Sequence, residues 1–252
     1  MENDFALIKH KLPDAENKIE IYCIADIHVG SPEFDELLWE RFKKELLDKP
    51  NRYCIIAGDL FDCGLKNSKT NIYEQTMTVR QQLDWLLDEL GEIKDRILGI
   101  VGGNHSSRIT KEVGIYPIYD LCRILRIDDL YRPNLALMKI NFGRRNKDRQ
   151  FSYCIGMHHG STRNKRQRFE YSIDGIDAFV TGHTHDGETS YPAKLVIDKH
   201  NEAVMVKPFV SIVCTSFLKY GGYGLEAMYL PKGNDKFQVI VLKENEMQVH
   251  WR

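Results

Sequence analysis

The chain of 252 residues has little that would mark it for a special environment. Its six cysteines are scattered without a CxxC pair, which excludes a zinc knuckle and a thioredoxin-like redox motif. Cys23, Cys54, Cys154 and Cys214 sit inside apolar runs, where a free thiol behaves as a small hydrophobe. A reduced, cytoplasmic setting without disulfides is therefore expected. No run approaches the roughly 20 apolar residues of a membrane span, and the opening MENDFALIKHKLPDAENK is too charged for a secretory signal. Neither sign of charge dominates: 35 Lys and Arg stand against 36 Asp and Glu, so overall charge points to neither nucleic acid nor a membrane. Internal repeats, low-complexity tracts and linkers are also lacking, and one domain over residues 1–252 is the expectation.

What is present is an alternation of strands and helices. IEIYCIADIHVG, RYCIIAGDLFD and RILGIVGGNHSS each read as a buried strand ending in a polar turn. Helical stripes follow the first two, with Phe34, Leu37, Leu38, Phe42 and Leu46 on one and Leu83, Leu86, Leu87 and Leu90 on the other. The second half reads mainly as strands, among them FSYCIGMHHG, DAFVTGHTH, KLVID, EAVMVKPFVSIVCTSF, LEAMYL and FQVIVL. An α/β layered fold is predicted.

Five of these strands finish in the same kind of residue: ADIH, GDLFD, GGNH, MHHG and GHTH. Six of the nine histidines fall inside these endings, and ligand sites in layered α/β folds collect at strand C-termini. In an extended chain His183 and His185 would face one side and aim at one place. The donors Asp26, His28, Asp59, Asn104, one of His158 and His159, His183 and His185 offer carboxylate or amide oxygen and imidazole nitrogen without thiolate. That chemistry suits Mn²⁺, Fe or Zn²⁺ better than Ca²⁺. There are too many donors for one tetrahedral ion and enough for two, with Asp59 the natural bridging carboxylate and Gly58 permitting a close backbone approach.

The ordered set Asp-x-His, Gly-Asp-x-x-Asp, Gly-Asn-His, His, Gly-His-x-His resembles the calcineurin-like metallophosphoesterase superfamily. The resemblance implies a four-layer α/β/β/α sandwich of two mixed β-sheets flanked by helices, with two divalent metals, Mn by preference, at the strand C-terminal ends. It implies that Asp26, His28 and His185 hold one ion, that Asn104, His159 and His183 hold the other, and that Asp59 bridges them. His105 matches the family residue that hydrogen-bonds the phosphate and assists the leaving group. Asp62 matches one that orients a histidine. A metal-bridging hydroxide would attack phosphorus in line. The sequence departs from the family at Ser106, where an acid usually supports the histidine, and at the doubled His158-His159, of which His159 directly precedes the glycine.

Within the superfamily the motifs are most similar to its nuclease-related members, and to small metallophosphoesterases of phages and prophages. A phosphodiester in DNA or RNA is the expected substrate, cleaved in the cytoplasm of a phage-infected or prophage-bearing bacterium. A phosphomonoester, a cyclic or small nucleotide, and a non-catalytic metal-binding scaffold are the alternatives. Arg163, Lys165 and Arg166 follow His159 closely, and Lys69 follows GDLFD; each is a candidate phosphate contact. Tyr220 and Tyr223, among glycines, are candidates for stacking on a base. Relatives often dimerise, so a homodimer is also considered.

Overall fold

The structure, a computed structural model, describes residues 5–13, 18–66, 68, 72–143, 151–160, 169–226, 228, 235–244 and 246–252. In chain order the first half contains β1 (Ile8–Lys11), β2 (Ile19–Ile24), α1 (Glu36–Leu47), β3 (Arg52–Ile56), α2 (Val79–Ile93), β4 (Ile97–Val101), α3 (Asn104–Val113) and α4 (Pro117–Leu125). Next come β5 (Tyr131–Arg132), β6 (Leu135–Phe142), β7 (Phe151–His158), β8 (Ala178–Thr181) and β9 (Glu188–Ser190). The last part holds β10 (Ala193–Asp198), β11 (Ala203–Pro208), β12 (Val210–Val213), α5 (Gly222–Glu226), β13 (Gln238–Leu242) and β14 (Met247–Trp251).

Two six-stranded mixed sheets form, in the orders β14-β13-β2-β3-β4-β5 and β1-β6-β7-β8-β12-β9. In the first, β2 to β5 run parallel and the β13–β14 hairpin joins β2 antiparallel. In the second, β7, β8 and β12 run parallel, β9 is antiparallel to β12, β6 is antiparallel to β7, and β1 runs parallel to β6. The expected pair of mixed sheets flanked by helices is thus present. β10 and β11 make a separate two-stranded ribbon.

Strand alternation divides the core in two. Ile19, Ile21 and Cys23 of β2 pack toward the second sheet with Ile55, Met138, Ile155, Val180 and Ile212. Tyr22 and Ile24, on the other face, pack under the helices with Trp39, Phe42, Leu86, Leu90 and Leu121. Because both faces of the first sheet are covered, its strands read as unbroken apolar runs. Helix α1 starts at Asp35, whose carboxylate accepts the Leu38 N–H at 3.3 Å, and α2 starts at Thr78 in a reciprocal capping box with Gln81.

Three local readings change. Leu37 is 78% exposed and Trp39 takes the inner position on α1, because the helix begins at Glu36 and its buried stripe runs 38, 39, 42 and 46. LEAMYL was expected to be extended, but its first two residues, Leu225 and Glu226, close the short helix α5. GGNHSS does not end in a turn, since Asn104 is the first residue of α3. Among the described residues no helix is long and apolar enough to cross a membrane.

Candidate metal centre

The parallel strands β2, β3 and β4 of one sheet and β7 and β8 of the other end at the same edge of the sandwich, and the polar motifs follow those ends directly. The two turns after β2 and β3 are fastened together: the Ile27 and His28 N–H groups both donate to the Asp59 carbonyl, at 2.9 and 3.0 Å. The turn after β8 is fixed by the His183 N–H, which donates to Asp26 Oδ2 at 2.8 Å.

The backbone here is strained in a way that singles these residues out. Asp26, His28, Asp59, His183 and His185 all have left-handed φ, between 48 and 72°. Such a conformation disfavours side chains other than Gly, Asn, Asp and His, and persists where surrounding contacts impose it. Gly58 and Gly103 allow the close approach that the site requires: a Cβ at Gly58 would run into the His159 ring, and one at Gly103 into Asp59. His183 and His185 therefore do not meet by strand alternation. Strand β8 stops at Thr181, and the turn sends the two rings to different neighbours.

The donors gather in overlapping groups whose candidate ligand atoms lie within 4.8 Å of one another: Asp26, His28 and His185; His28, Asp59 and His105; Asp59, His159 and His183. Asn104 joins the third group, its Oδ1 lying 3.0 Å from His159 Nε2 and 2.8 Å from His183 Nδ1. Asp59 stands between the groups, with Oδ2 3.0 Å from His159 Nε2 and Oδ1 accepting the His105 N–H at 2.9 Å.

The residues fit a pair of divalent ions. Asp26 Oδ1 and His28 Nε2 are buried without a hydrogen bond and lie 3.7 Å apart, with His185 Nε2 3.2 Å from the same carboxylate oxygen, so three ligand atoms converge on one point. His28 Nδ1 lies 3.2 Å from Asp62 Oδ1, and His159 Nδ1 donates to the Ala57 carbonyl at 2.8 Å. In each ring one nitrogen is thus held by an oxygen acceptor while the other points into the centre, the usual support for a metal-ligating imidazole. Asp62 is steadied in turn by Gln75, whose Nε2 donates to Asp62 Oδ2 at 2.6 Å.

Charge follows from the same geometry. Burial alone would raise the Asp59 carboxyl, but the surrounding His159, His105 and His28 outweigh it and bring the group down to about 2. Asp26 is likewise held well below the carboxylate range, His185 contributing most against burial. Burial opposes the charge on His28 and His159, yet the neighbouring carboxylates raise them to about 10 and about 9. His183 moves the other way, lowered by burial and then by His159. The centre therefore presents ionised carboxylates, and divalent ions would replace the imidazole protons.

Of the doubled histidines, His159 is buried in the centre, whereas His158 ends β7 and its Nδ1 accepts the Gly160 N–H at 2.7 Å. Ser106 does not reach His105; its hydroxyl donates to the Gly103 carbonyl of its own helix at 3.2 Å. His105 Nδ1 instead donates to the Asp62 carbonyl at 2.7 Å, and its Nε2 accepts from Arg108 Nη2 at 3.1 Å. Arg108 was not foreseen, nor was Gln75. The available signal for Arg108 was its spacing of three from His105, one helical turn, but only if GGNHSSR is read as a helix start. Tyr220 is 46% exposed, three residues beyond Phe217, whose N–H donates to the Asp26 carbonyl at 3.0 Å. The side chain of Tyr223, and Lys69, Arg163, Lys165 and Arg166, lie outside the described residues.

Two mixed sheets that deliver paired His and Asp donor groups at their strand ends have the form of a metal-dependent phosphoesterase. The family model of calcineurin-like phosphoesterases matches residues 19–187, and the chain belongs to that family. No curated protein matches the chain. Among solved structures it is similar to the phosphoesterase Yfce from E. coli, at 15% identity and TM-score 0.43 over 93% of this chain and 98% of that one. It is also similar to the calcineurin-like phosphoesterase YfkN from Bacillus subtilis, at 11% identity and TM-score 0.47 over 93% and 90%. A third similar structure is the nuclease MPE from Pseudomonas putida, at 16% identity and TM-score 0.35 over 91% and 87%.

Proposed function

We propose that the chain is a two-metal phosphodiesterase acting on nucleic acid. The observation that carries the metal assignment is the convergence of Asp26 Oδ1, His28 Nε2 and His185 Nε2, the first two buried without a hydrogen bond, beside a second donor group with Asp59 between the two. Asp26, His28 and His185 would hold one ion, Asn104, His159 and His183 the other, and Asp59 both. The thiolate-free set of carboxylate and amide oxygens with four imidazoles suits Mn²⁺, Fe or Zn²⁺, and the family resemblance puts Mn²⁺ first. When bound, the two ions would polarise phosphoryl oxygens as Lewis acids and lower the pKa of water.

The protein's own groups do the rest. Asp62 and the Ala57 carbonyl orient His28 and His159. His105, with Nδ1–H committed to the Asp62 carbonyl, would turn Nε2 to the leaving oxygen. To donate there the ring must first take up a proton at that nitrogen, which at rest accepts from Arg108. Arg108 shares that nitrogen at rest and has Nη1 buried without a partner, so its guanidinium is free to take two phosphoryl oxygens as charge develops. A diester of DNA or RNA is favoured by the basic residues Arg163, Lys165 and Arg166, which follow the presumed ligand His159 directly in sequence, and by Lys69. A cytoplasmic location, in a bacterium that carries the gene on a phage or prophage, goes with this reading.

The test is hydrolysis by Mn²⁺-loaded protein of bis(p-nitrophenyl) phosphate against p-nitrophenyl phosphate, followed by labelled DNA and RNA. Faster cleavage of the diester is expected. Preference for the monoester would replace this reading with a phosphatase, and turnover of neither by a chain that binds fewer than two ions would replace it with a scaffold. The ligand assignment predicts in addition that His159→Asn lowers bound metal, counted by elemental analysis, from two ions per chain to one. His158→Asn should leave two; the reverse pattern would exchange the roles of the pair.

A further inference from the structure

Asp62 stands at a branch point of the centre. Its Oδ1 lies 3.2 Å from His28 Nδ1 and 3.3 Å from His105 Nδ1. One carboxylate oxygen thus serves a ligand of the first donor group and the histidine set toward the leaving oxygen. The residue is buried, and its other oxygen, Oδ2, accepts from Gln75 Nε2 at 2.6 Å. Gln75 lies on the segment that leads into α2, outside all five strand-end motifs.

The direction of its amide is dictated step by step. The Cys63 N–H can only donate, and it donates to Gln82 Oε1 at 3.2 Å, which makes Gln82 Nε2 the donor end. That nitrogen donates to the Met77 carbonyl at 3.0 Å and to Gln75 Oε1 at 3.3 Å. The Gly64 N–H donates to the same oxygen at 3.4 Å. Gln75 is left with its nitrogen toward Asp62, and a chain of hydrogen bonds pointing one way ends on the carboxylate. Both amides are seated against backbone: a Cβ at Gly30 would run into Gln82 Nε2, and one at Gly64 into Gln75 Cδ.

We propose, on the two-ion reading of the centre, that Gln75, aligned by Gln82, is a positioning residue. Its amide donor turns Asp62 Oδ1 toward His28 and His105 together, and so couples the hold on one ion to the placing of the leaving-group histidine. A glutamine suits this task and a glutamate does not, because the side chain must donate to a carboxylate while accepting from two N–H groups.

The test is Mn²⁺ binding, followed by competition with a fluorescent chelator, together with kcat and KM for bis(p-nitrophenyl) phosphate at saturating Mn²⁺. Gln75→Leu should weaken one of the two ions by about ten-fold or more, the scale known for groups that orient metal-ligating imidazoles. It should lower kcat by a similar factor with little change in KM. Thr76→Val is the control. The Thr76 hydroxyl donates to the Gly30 carbonyl at 3.2 Å, fastening the same segment by a bond that does not involve Asp62, and this variant should bind both ions as wild type does. On an Asp62→Ala background Gln75→Leu should add no further loss, since its effect passes through the carboxylate. Gln75→Glu, nearly isosteric, decides the matter if the leucine variant does not fold; at about pH 8 it sets two carboxylates against each other and should be at least as impaired. Wild-type affinity for both ions in the folded Gln75 variants, or an equal loss on the Asp62→Ala background, overturns the proposal and leaves the two-ion centre standing. A wild-type chain that holds fewer than two ions overturns both. Ion binding is read without substrate, so the outcome for Gln75 does not depend on which phosphoester the centre cleaves.

Discussion

Replacing Asp59 with asparagine is expected to lower turnover by the metal-loaded protein by about 10³-fold or more, the scale seen when a group organising transition-state charge is lost. The substitution is nearly isosteric, and an amide oxygen can still accept the His105 N–H that Asp59 Oδ1 accepts at 2.9 Å. What disappears is the negative charge between the two donor groups. Bound metal should fall below two ions per chain, and circular dichroism should show the wild-type fold. Two ions bound with full turnover would remove Asp59 from the bridging role. The variant has a second consequence in the metal-free protein. Burial opposes charge on His159, and Asp59 is the first of the groups that raise it to about 9. The raised pKa stabilises the wild-type fold fully below the ordinary value of 6.5, and that contribution is lost as pH rises through about 9. Metal-free Asp59→Asn should therefore lose most of this alkaline dependence, which thermal melts across that window would measure.

Much of this centre was legible because its parts are local. A buried strand followed by Gly, Asp, Asn or His can be read in ten residues, and five such endings point to one edge once the strands are parallel. The left-handed φ of Asp26, His28 and Asp59 falls on residue types that tolerate it, so the sequence and the strained backbone agree. The parts that were not legible depend on register or on weak periodicity. The two histidines after β8 were placed by an extended-chain argument, yet the strand ends at Thr181 and a turn separates the rings. Leu37 looked like part of a buried stripe until the Asp35 cap set the start of α1. Strand β6 alternates buried residues with half-buried ones such as Lys139 and was not among the expected strands. Helix α3 buries only Ser106 along its length, so it has no apolar stripe to announce it, and the residue it brings to the site went unseen with it.

That residue is Arg108, and its removal is the second large effect expected. Arg108→Ala should reduce kcat/KM for a diester by about 100-fold, the scale expected for one charge-assisted donor to the transferring group. Two features separate this from general damage to the fold. Arg108 Nη2 hydrogen-bonds His105 Nε2, while the other nitrogen of that ring is held independently by the Asp62 carbonyl. The metal count should accordingly stay at two. The guanidinium also acts through charge and shape together, so Arg108→Lys, which keeps charge without the planar fork, should recover only part of the loss. Added guanidinium ion should restore turnover to the alanine variant, and inorganic phosphate should bind the metal-loaded variant more weakly than wild type. An alanine variant with unchanged kcat/KM and unchanged phosphate affinity would leave Arg108 as a helix residue that merely packs on His105. Ser106 turns away from His105 toward its own helix, so the acid beside this histidine is Asp62, whose Oδ1 lies 3.3 Å from Nδ1, and the guanidinium is what approaches the other nitrogen. The histidine thus stands between a negative charge at Nδ1 and a positive one at Nε2, and the positive one is on the side proposed for the leaving oxygen of an anionic phosphate.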